Sequence, residues 1–430
     1  MWSTLCMKSR NQSLISEWLA RSQKVPLTIF AGFSDASEHP PCRYQDSATA
    51  AIANIDDQKV CFCHEGVLSL DQLLPHRSRI HHLDISFHSF DPDWDDDRQG
   101  SEPMLLSHRF FREPLPNLQC LYFCATHVKH NRYTIPVPAS LFAGELPSLK
   151  ELKYLGVTGG LTETAKNLVS CEIGRWPGAV WLTTFSQEEL ETLFGNNNNV
   201  RSLALNDCEF LTPDQRFTTT APMVNLKFLR IHCPLPGNLE AILKSIHIPQ
   251  FKSLDTVRLS IFSGLRAVAT SASGLTFEFL QSTGRDSNFY PLRHLGAEVT
   301  TLRLDQEIPL HGLCHPPGLY DFFRTLDSVR VLEFDGAIPS VKTVVHSVLF
   351  KTRVFPRLKV IRVVVCWDDF EDTLELLAGA SKLRMDKGNP FAVIEPVSAE
   401  GDDEGGLGQE LRAEWEKRYE AEGIQDLLFE

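Results

Sequence analysis

Along much of the chain, apolar residues return at i, i+3 and i+5, with small or polar residues between them. VRSLALNDC (200–208) shows the spacing in Val200, Leu203 and Leu205. The same trio recurs as Ile80/Leu83/Ile85, Leu118/Leu121/Phe123, Leu149/Leu152/Tyr154 and Leu168/Cys171/Ile173. It continues as Leu226/Leu229/Ile231, Leu254/Val257/Leu259, Val299/Leu302/Leu304, Val329/Leu332/Phe334 and Leu358/Ile361/Val363. In a strand the i+3 and i+5 side chains share one face, and the residue between them points to the other. The leading apolar residue then sits on the turn that feeds the strand. From Leu203 the middle residues step by 26 to Leu229, 28 to Val257, 45 to Leu302, 30 to Leu332 and 29 to Ile361. GLTFEFL (274–280), inside the longest step, reads as a degenerate unit.

Between these strands the period becomes helical. SQEELETLFG (186–195) offers Ser186 as N-cap and Glu189 as its capping-box partner. Leu190, Leu193 and Phe194 form one face, and Gly195 is the expected stop. GNLEAILKSIHIP (237–249), PPGLYDFFRTL (316–326), SVKTVVHSVLF (340–350) and DDFEDTLELLAG (368–379) carry similar helical stripes. A strand plus a helix cannot bury its apolar side alone, and stacking the units solves this. A step of about 20–30 residues around L-x-x-L-x-L marks leucine-rich repeats. The expected fold is therefore α/β: a leucine-rich-repeat-like solenoid with alternating strands and helices and a parallel concave sheet. The rival is a non-repeat α/β domain whose buried strands share a spacing.

The solenoid is expected over residues 13–395, with its first helix-strand unit at 13–33, after a short N-terminal segment at 1–12. Residues 396–430 read as an acidic linker, EGDDEGGLG, and a C-terminal helix with Leu411, Trp415 and Tyr419 as one thin stripe. A length of 430 residues exceeds the usual single domain, which fits either two domains or one elongated array.

Charge narrows the partners. With 42 Lys+Arg against 55 Asp+Glu the formal charge is −13, which argues against nucleic acid and anionic membrane. The start, MWSTLCMKSRNQS, has no apolar core with a cleavage site, and no run of about 18 apolar residues exists. The 11 cysteines are expected as reduced thiols of a cytoplasmic or nuclear protein. Cys120, Cys171 and Cys208 fall in strand patterns, where Cys acts as a small hydrophobe.

Motifs with chemistry are sparse. DPDWDDD (91–97) with Glu102 matches the ligand spacing of a calcium loop. However, Asp96 stands where the turn needs Gly, and Pro92 and Pro103 interrupt it. CFCH (61–64) and His81-His82 lack zinc-finger spacing. No nucleophile-elbow, metalloprotease, phosphate-loop or dinucleotide fingerprint is present. No catalytic residue, cofactor or metal ligand is assigned, and an enzyme on an α/β fold is a lesser alternative.

The residue between the second and third apolar positions should face the open side of the sheet. In order these are Asp84, Tyr122, Lys153, Glu172, Ala204, Arg230, Arg258, Arg303, Glu333 and Arg362. Strands about 5 Å apart would stack Arg230, Arg258, Arg303 and Arg362 into a ladder able to clamp carboxylates or phosphates. The expected partner is a protein with an acidic segment. The alternative is that these arginines are exposed strand residues paired with Glu333, Asp305 or Asp335.

The start carries a further signal. In SLISEWLARSQKVPLTIFAGF (13–33) a helix ends in Trp18-Leu19-Ala20-Arg21-Ser22, and a strand runs from Pro26 to Phe30. With LLPHRSRIHHLDI (73–85) and LFAGELPSLKELKYLGV (141–157), it resembles the repeat region of mushroom-type fungal F-box proteins over roughly residues 13–395. The resemblance implies a helical F-box ahead of this region that docks on the adaptor of cullin-based ubiquitin ligases, while the repeats hold the target. Only 12 residues precede Ser13, too few for that box. The adaptor is thus an expected partner only if an F-box lies upstream. A stand-alone interaction scaffold is the other reading.

Overall fold

The computed structural model describes residues 4–6, 12–34, 61–62, 70–88, 109–126, 135–137, 141–144, 146–158, 165–175, 183–185, 187–206, 208–210, 222–232, 248, 254–261, 264–282, 298–305, 319–335, 354–365, 370–386, 388, 393–398 and 417. The chain forms two compact units. One holds residues 1–226 with 241–247, and the other holds 227–240 with 248–430. Each is mixed α/β, and each carries a sheet that is wholly or mostly parallel.

In the first unit the strands are β1 (Thr4–Cys6), β2 (Leu27–Ser34), β3 (Cys61–Phe62), β4 (Ile80–His88), β5 (Cys120–Thr126), β6 (Ile135–Pro136) and β7 (Glu151–Leu155). They continue with β8 (Val157–Thr158), β9 (Ser170–Gly174), β10 (Thr183–Phe185), β11 (Ser202–Asn206) and β12 (Cys208–Phe210). The main sheet runs β1-β2-β4-β5-β7-β9-β11, all parallel, with β3 also on β2. β6 pairs β8 and β10 pairs β12 beside it. Parallel neighbours need a crossover between them. Here the described crossovers include the helices Gln12–Ser22, Arg109–Arg112 and Gln187–Asn196.

The trio spacing is the core. Twenty-eight of its thirty side chains are described, and each is buried to 3% exposure or less; those of Val257 and Leu259 lie outside the described residues. The leading residue sits on a tight turn, as expected. Its N–H donates to the carbonyl three residues back in Leu118→Leu115, Leu149→Leu146, Val200→Asn197, Val329→Leu326 and Leu358→Phe355, at 3.1–3.3 Å. That earlier residue is also buried in every case. In these five the buried set is therefore i−3, i, i+3, i+5, and Pro116, Pro147 and Pro356 occupy the turn's second position, where their fixed φ suits it.

Asn197 shows how a polar residue takes the i−3 place. Its amide nitrogen donates to Leu193 and Ala165 carbonyls at 2.7 and 2.8 Å, and its oxygen accepts the Leu168 N–H at 2.8 Å. Its side chain closes the helix Gln187–Asn196, which runs through Gly195 rather than stopping there. At the strand ends, Gly174 (φ +127°) could not carry a Cβ, because the atom would lie 1.8 Å from the Asn206 carbonyl oxygen. At the start of the unit, Arg79 donates to Ser22 Oγ at 2.6 Å and to the Val25 carbonyl at 3.1 Å, tying LLPHRSR to the WLARS helix end. β1 lies parallel to β2, so sheet structure begins inside the N-terminal segment.

The second unit has β13 (Phe228–His232), β14 (Leu254–Ile261), β15 (Gly264–Ser271), β16 (Thr276–Ser282), β17 (Thr301–Asp305), β18 (Val331–Asp335), β19 (Val360–Val365) and β20 (Val393–Ser398). Its order is β13-β16-β15-β14-β17-β18-β19-β20. GLTFEFL supplies a strand beside β13, with Phe277 and Phe279 buried in register with Leu229 and Ile231, but the chain does not reach it by a parallel step. It is the third strand of a β14-β15-β16 meander, antiparallel at both joints, which sets β16 parallel to β13. The turn at Ser271–Leu275 is closed by the Gly274 N–H on the Ser271 carbonyl, with Gly274 at φ +82°. Small Ala267 and Ala269 on β15 share the core with Phe277 and Phe279 of β16.

Helices of this unit are Leu319–Thr325, which buries Phe322 and Phe323, and Phe370–Asp386, which continues beyond Gly379. On the latter helix Arg384 is fully buried and donates to the Val354 and Phe355 carbonyls at 3.0 and 2.8 Å. The sheet reaches Ser398, past the expected boundary at 395. The helical stripes at 237–249 and 340–350 fall outside the described residues, apart from Ile248, as does the C-terminal helix apart from Lys417.

Candidate interaction faces

Each strand presents two open-face positions, i+2 and i+4 of the trio, and the parallel register lines them up across the sheet. In the first unit the i+4 row is Phe30–Asp84–Tyr122–Lys153–Glu172–Ala204. The i+2 row is Thr28–His82–Cys120–Glu151–Ser170–Ser202. Asp84, Tyr122, Lys153 and Glu172 thus stand where the spacing puts them, while Ala204 is buried.

Three rings meet on this face. The His82 ring lies 5.5 Å from Phe30 and 4.8 Å from Tyr122, edge-on to the latter. Tyr122 donates its hydroxyl to Glu151 at 3.2 Å. Burial pushes the Tyr122 phenol up to about 12, helped by the Glu151 charge and hydrogen bond. Burial and the same carboxylate push the Cys120 thiol up to about 11. Cys120 therefore stays a protonated thiol at neutral pH, the reverse of what a nucleophilic Cys needs. Burial holds His82 below its ordinary value, partly opposed by Glu151. The His82 Nε2 is buried and makes no hydrogen bond. Beyond Tyr122, Lys153 pairs with Glu172 at 3.1 Å, and Asn206 donates to the same carboxylate at 2.9 Å.

Cys120 corrects one expectation. It faces the open side and is half-buried, whereas Cys171 and Cys208 are in the core; all three are free thiols. Burial drives Cys171 up to about 12.

The arginine ladder is broken by topology. The row across the second unit reads Arg230–Glu278–Val268–Arg258–Arg303–Glu333–Arg362–Glu395. The meander places two strands between Arg230 and Arg258, so these are not neighbours. Only Arg258 and Arg303 stand side by side as like charges. Arg230 binds Glu278 at 2.7 Å and covers the Phe228 ring at 5.3 Å, while Arg303 binds Glu333 at 3.2 Å. Arg362 stands in register between Glu333 and Glu395. The sheet brings a carboxylate beside three of the four arginines, Arg230, Arg303 and Arg362.

Among the described residues no group of three His, Cys, Asp or Glu is placed to hold a metal, and no helix is long and apolar enough to cross a membrane. DPDWDDD with Glu102, and Cys63 and His64, lie outside the described residues; Cys61 lies in β3. The cluster of Phe30, His82, Cys120 and Glu151 was not singled out by the trio. Its signal was available: i+2 shares the face of i+4, and His82, Cys120 and Glu151 are the i+2 residues of successive trios. The chain matches no family model, no curated protein and no solved structure.

Proposed function

We propose that this chain is a leucine-rich-repeat-like, non-catalytic interaction protein that presents the open face of its sheet to a protein partner. We propose further that this is the target-recognition region of a cullin-type F-box receptor. The observation that carries the first reading is the register. A turn-strand unit that buries i−3, i, i+3 and i+5 leaves two side chains per strand in straight rows about 5 Å apart, a regular surface for reading a partner chain. The second reading rests on the resemblance of segments 13–33, 73–85 and 141–157 to fungal F-box repeat regions. On the second unit, Arg258 and Arg303 stand in register on adjacent strands, and this is where we place the acidic segment of the partner.

The test is affinity capture with the full chain followed by mass spectrometry. Recovery of a specific protein, lost on reversal of Arg258 and Arg303 to Glu, is the expected result for the acidic-partner surface. Co-recovery of cullin-ligase subunits would support the receptor reading, and a reproducible partner without them would leave a stand-alone scaffold. Turnover of a small molecule by the purified chain would overturn the non-catalytic reading.

A further inference from the structure

We infer that His82 is a pH-operated switch in the open face of the first unit: neutral, its ring joins Phe30 to Tyr122 in one aromatic surface; protonated, it swings out and divides that surface. The inference goes beyond the partner reading above and is testable in the free chain.

The geometry starts from the register. Phe30 on β2 and Tyr122 on β5 share a row, with β4 between them, so their backbones stand roughly 10 Å apart. The His82 ring on β4 spans that gap, its centroid 5.5 Å from Phe30 and 4.8 Å from Tyr122. Thr28 and Cys120 flank His82 in its own row. Held there, the His82 Nε2 is buried and makes no hydrogen bond.

A neutral imidazole can leave that nitrogen unprotonated. An imidazolium carries N–H on both nitrogens, so protonation in place would bury a charged donor without an acceptor. The titratable groups facing the ring are Cys120 and Tyr122 on β5, Glu151 on β7 and Asp84 two residues along β4. Cys120 and Tyr122 keep their protons up to about 11 and about 12, and both hydrogen-bond to Glu151. β2 brings only Thr28 and Phe30 against the ring, and neither ionises. Two attractions oppose the move: the Glu151 charge, and the pull of aromatic faces on a cation. Burial outweighs the first and sets the packed ring below its ordinary 6.5. Once turned into water, the imidazolium has both N–H groups solvated and regains that ordinary value. Acid therefore favours the swung-out ring: the surface is joined above pH 6.5 and comes apart as pH falls below it.

The full chain, carrying carbon-13 in its His and Tyr rings, would be titrated by NMR from about pH 7.5 to about pH 5. His82→Phe and Tyr122→Phe assign the two signals. His82 should titrate with a midpoint below 6.5, and its ring-current displacement should vanish at the acid end. The Tyr122 signals should move with the same midpoint in the wild type and stay fixed in His82→Phe. Glu151→Gln should lower the midpoint further, because it removes a carboxylate that favours the charged ring. The circular dichroism spectrum should hold throughout. A midpoint at or above 6.5, a ring current that persists after protonation, or equal movement of Tyr122 in His82→Phe would overturn the inference. Loss of the dichroism signal in step with His82 would overturn it too, as unfolding rather than a local switch.

Discussion

The two units use the same buried trio under differently composed faces. In the first, every pair in the main sheet is parallel, and the rows bring together rings, a thiol and carboxylates around Tyr122. In the second, a meander interrupts the parallel order, and arginine and glutamate alternate only from Arg303 to Glu395. The core pattern tolerates either face because strand side chains alternate: changing an i+2 or i+4 residue leaves i+3 and i+5 untouched. The composition of the open face is thus free to vary while the fold stays fixed.

The sharpest way to break this comparison is to attack the shared core in both units. Phe123→Ala removes a ring that packs 6.4 Å from Phe111 and Tyr154, and Leu332→Ala removes a fully buried side chain of β18. The first should cost about 3–5 kcal/mol and the second about 2–5 kcal/mol. Urea unfolding followed by circular dichroism measures both. If either lost less than about 1 kcal/mol, the trio could not be the common structural element.

A smaller effect separates the way each unit closes a turn. Asn197 does so with a neutral amide, Arg384 with a buried guanidinium. Asn197→Ala and Arg384→Met should each destabilise by about 1–3 kcal/mol for every buried backbone group left without a partner. Asn197→Asp should fare no better than Ala, because a carboxylate cannot donate to the Leu193 and Ala165 carbonyls. Arg384→Lys should recover part of the loss at most, since a point charge cannot span two carbonyls as the fork does. Wild-type stability of Asn197→Asp in the same urea assay would refute the donor role.

The smallest expected effect is pH dependence centred on the first unit. The Cys120 and Cys171 thiols ionise at about 11 and about 12 in the folded chain, against an ordinary value of 9.0. The unfolded chain releases these protons first, so stability is intact below pH 9 and is lost as pH rises beyond it. His82 works at the other end. Its folded value lies below the ordinary 6.5, so the unfolded chain takes up the proton first and stability falls as pH drops through that region. Urea midpoints measured from pH 5 to pH 10 should decline at both ends. His82→Gln should flatten the acid limb, and Cys120→Ala with Cys171→Ala the alkaline one; unchanged slopes would count against these assignments.

Much of this was legible in the chain. Local spacing named the buried residues of Leu118/Leu121/Phe123 or Leu358/Ile361/Val363, because a strand's two faces alternate whatever its neighbours are. It placed the turn residue as well, yet missed the fourth buried position, where Leu115 and Phe355 sit three residues earlier in what reads as loop. The helix Gln187–Asn196 outran Gly195 because Asn197 supplies the closing hydrogen bonds. The arginine ladder failed for a different reason. Counting trios assumes that consecutive strands are neighbours, and the period-2 run LRAVATS with the SASG turn, which signals a hairpin, was absorbed into one long step.

The sequence by itself determined which side chains turn inward, because alternation is a property of one strand and needs no partner. Only the tertiary structure decided who stands beside whom on the open side: Arg230 beside Glu278, Arg258 beside Arg303, His82 between Phe30 and Tyr122. Adjacency across a sheet depends on strand order and register, which the chain fixes through long-range packing rather than through the spacing of neighbouring residues.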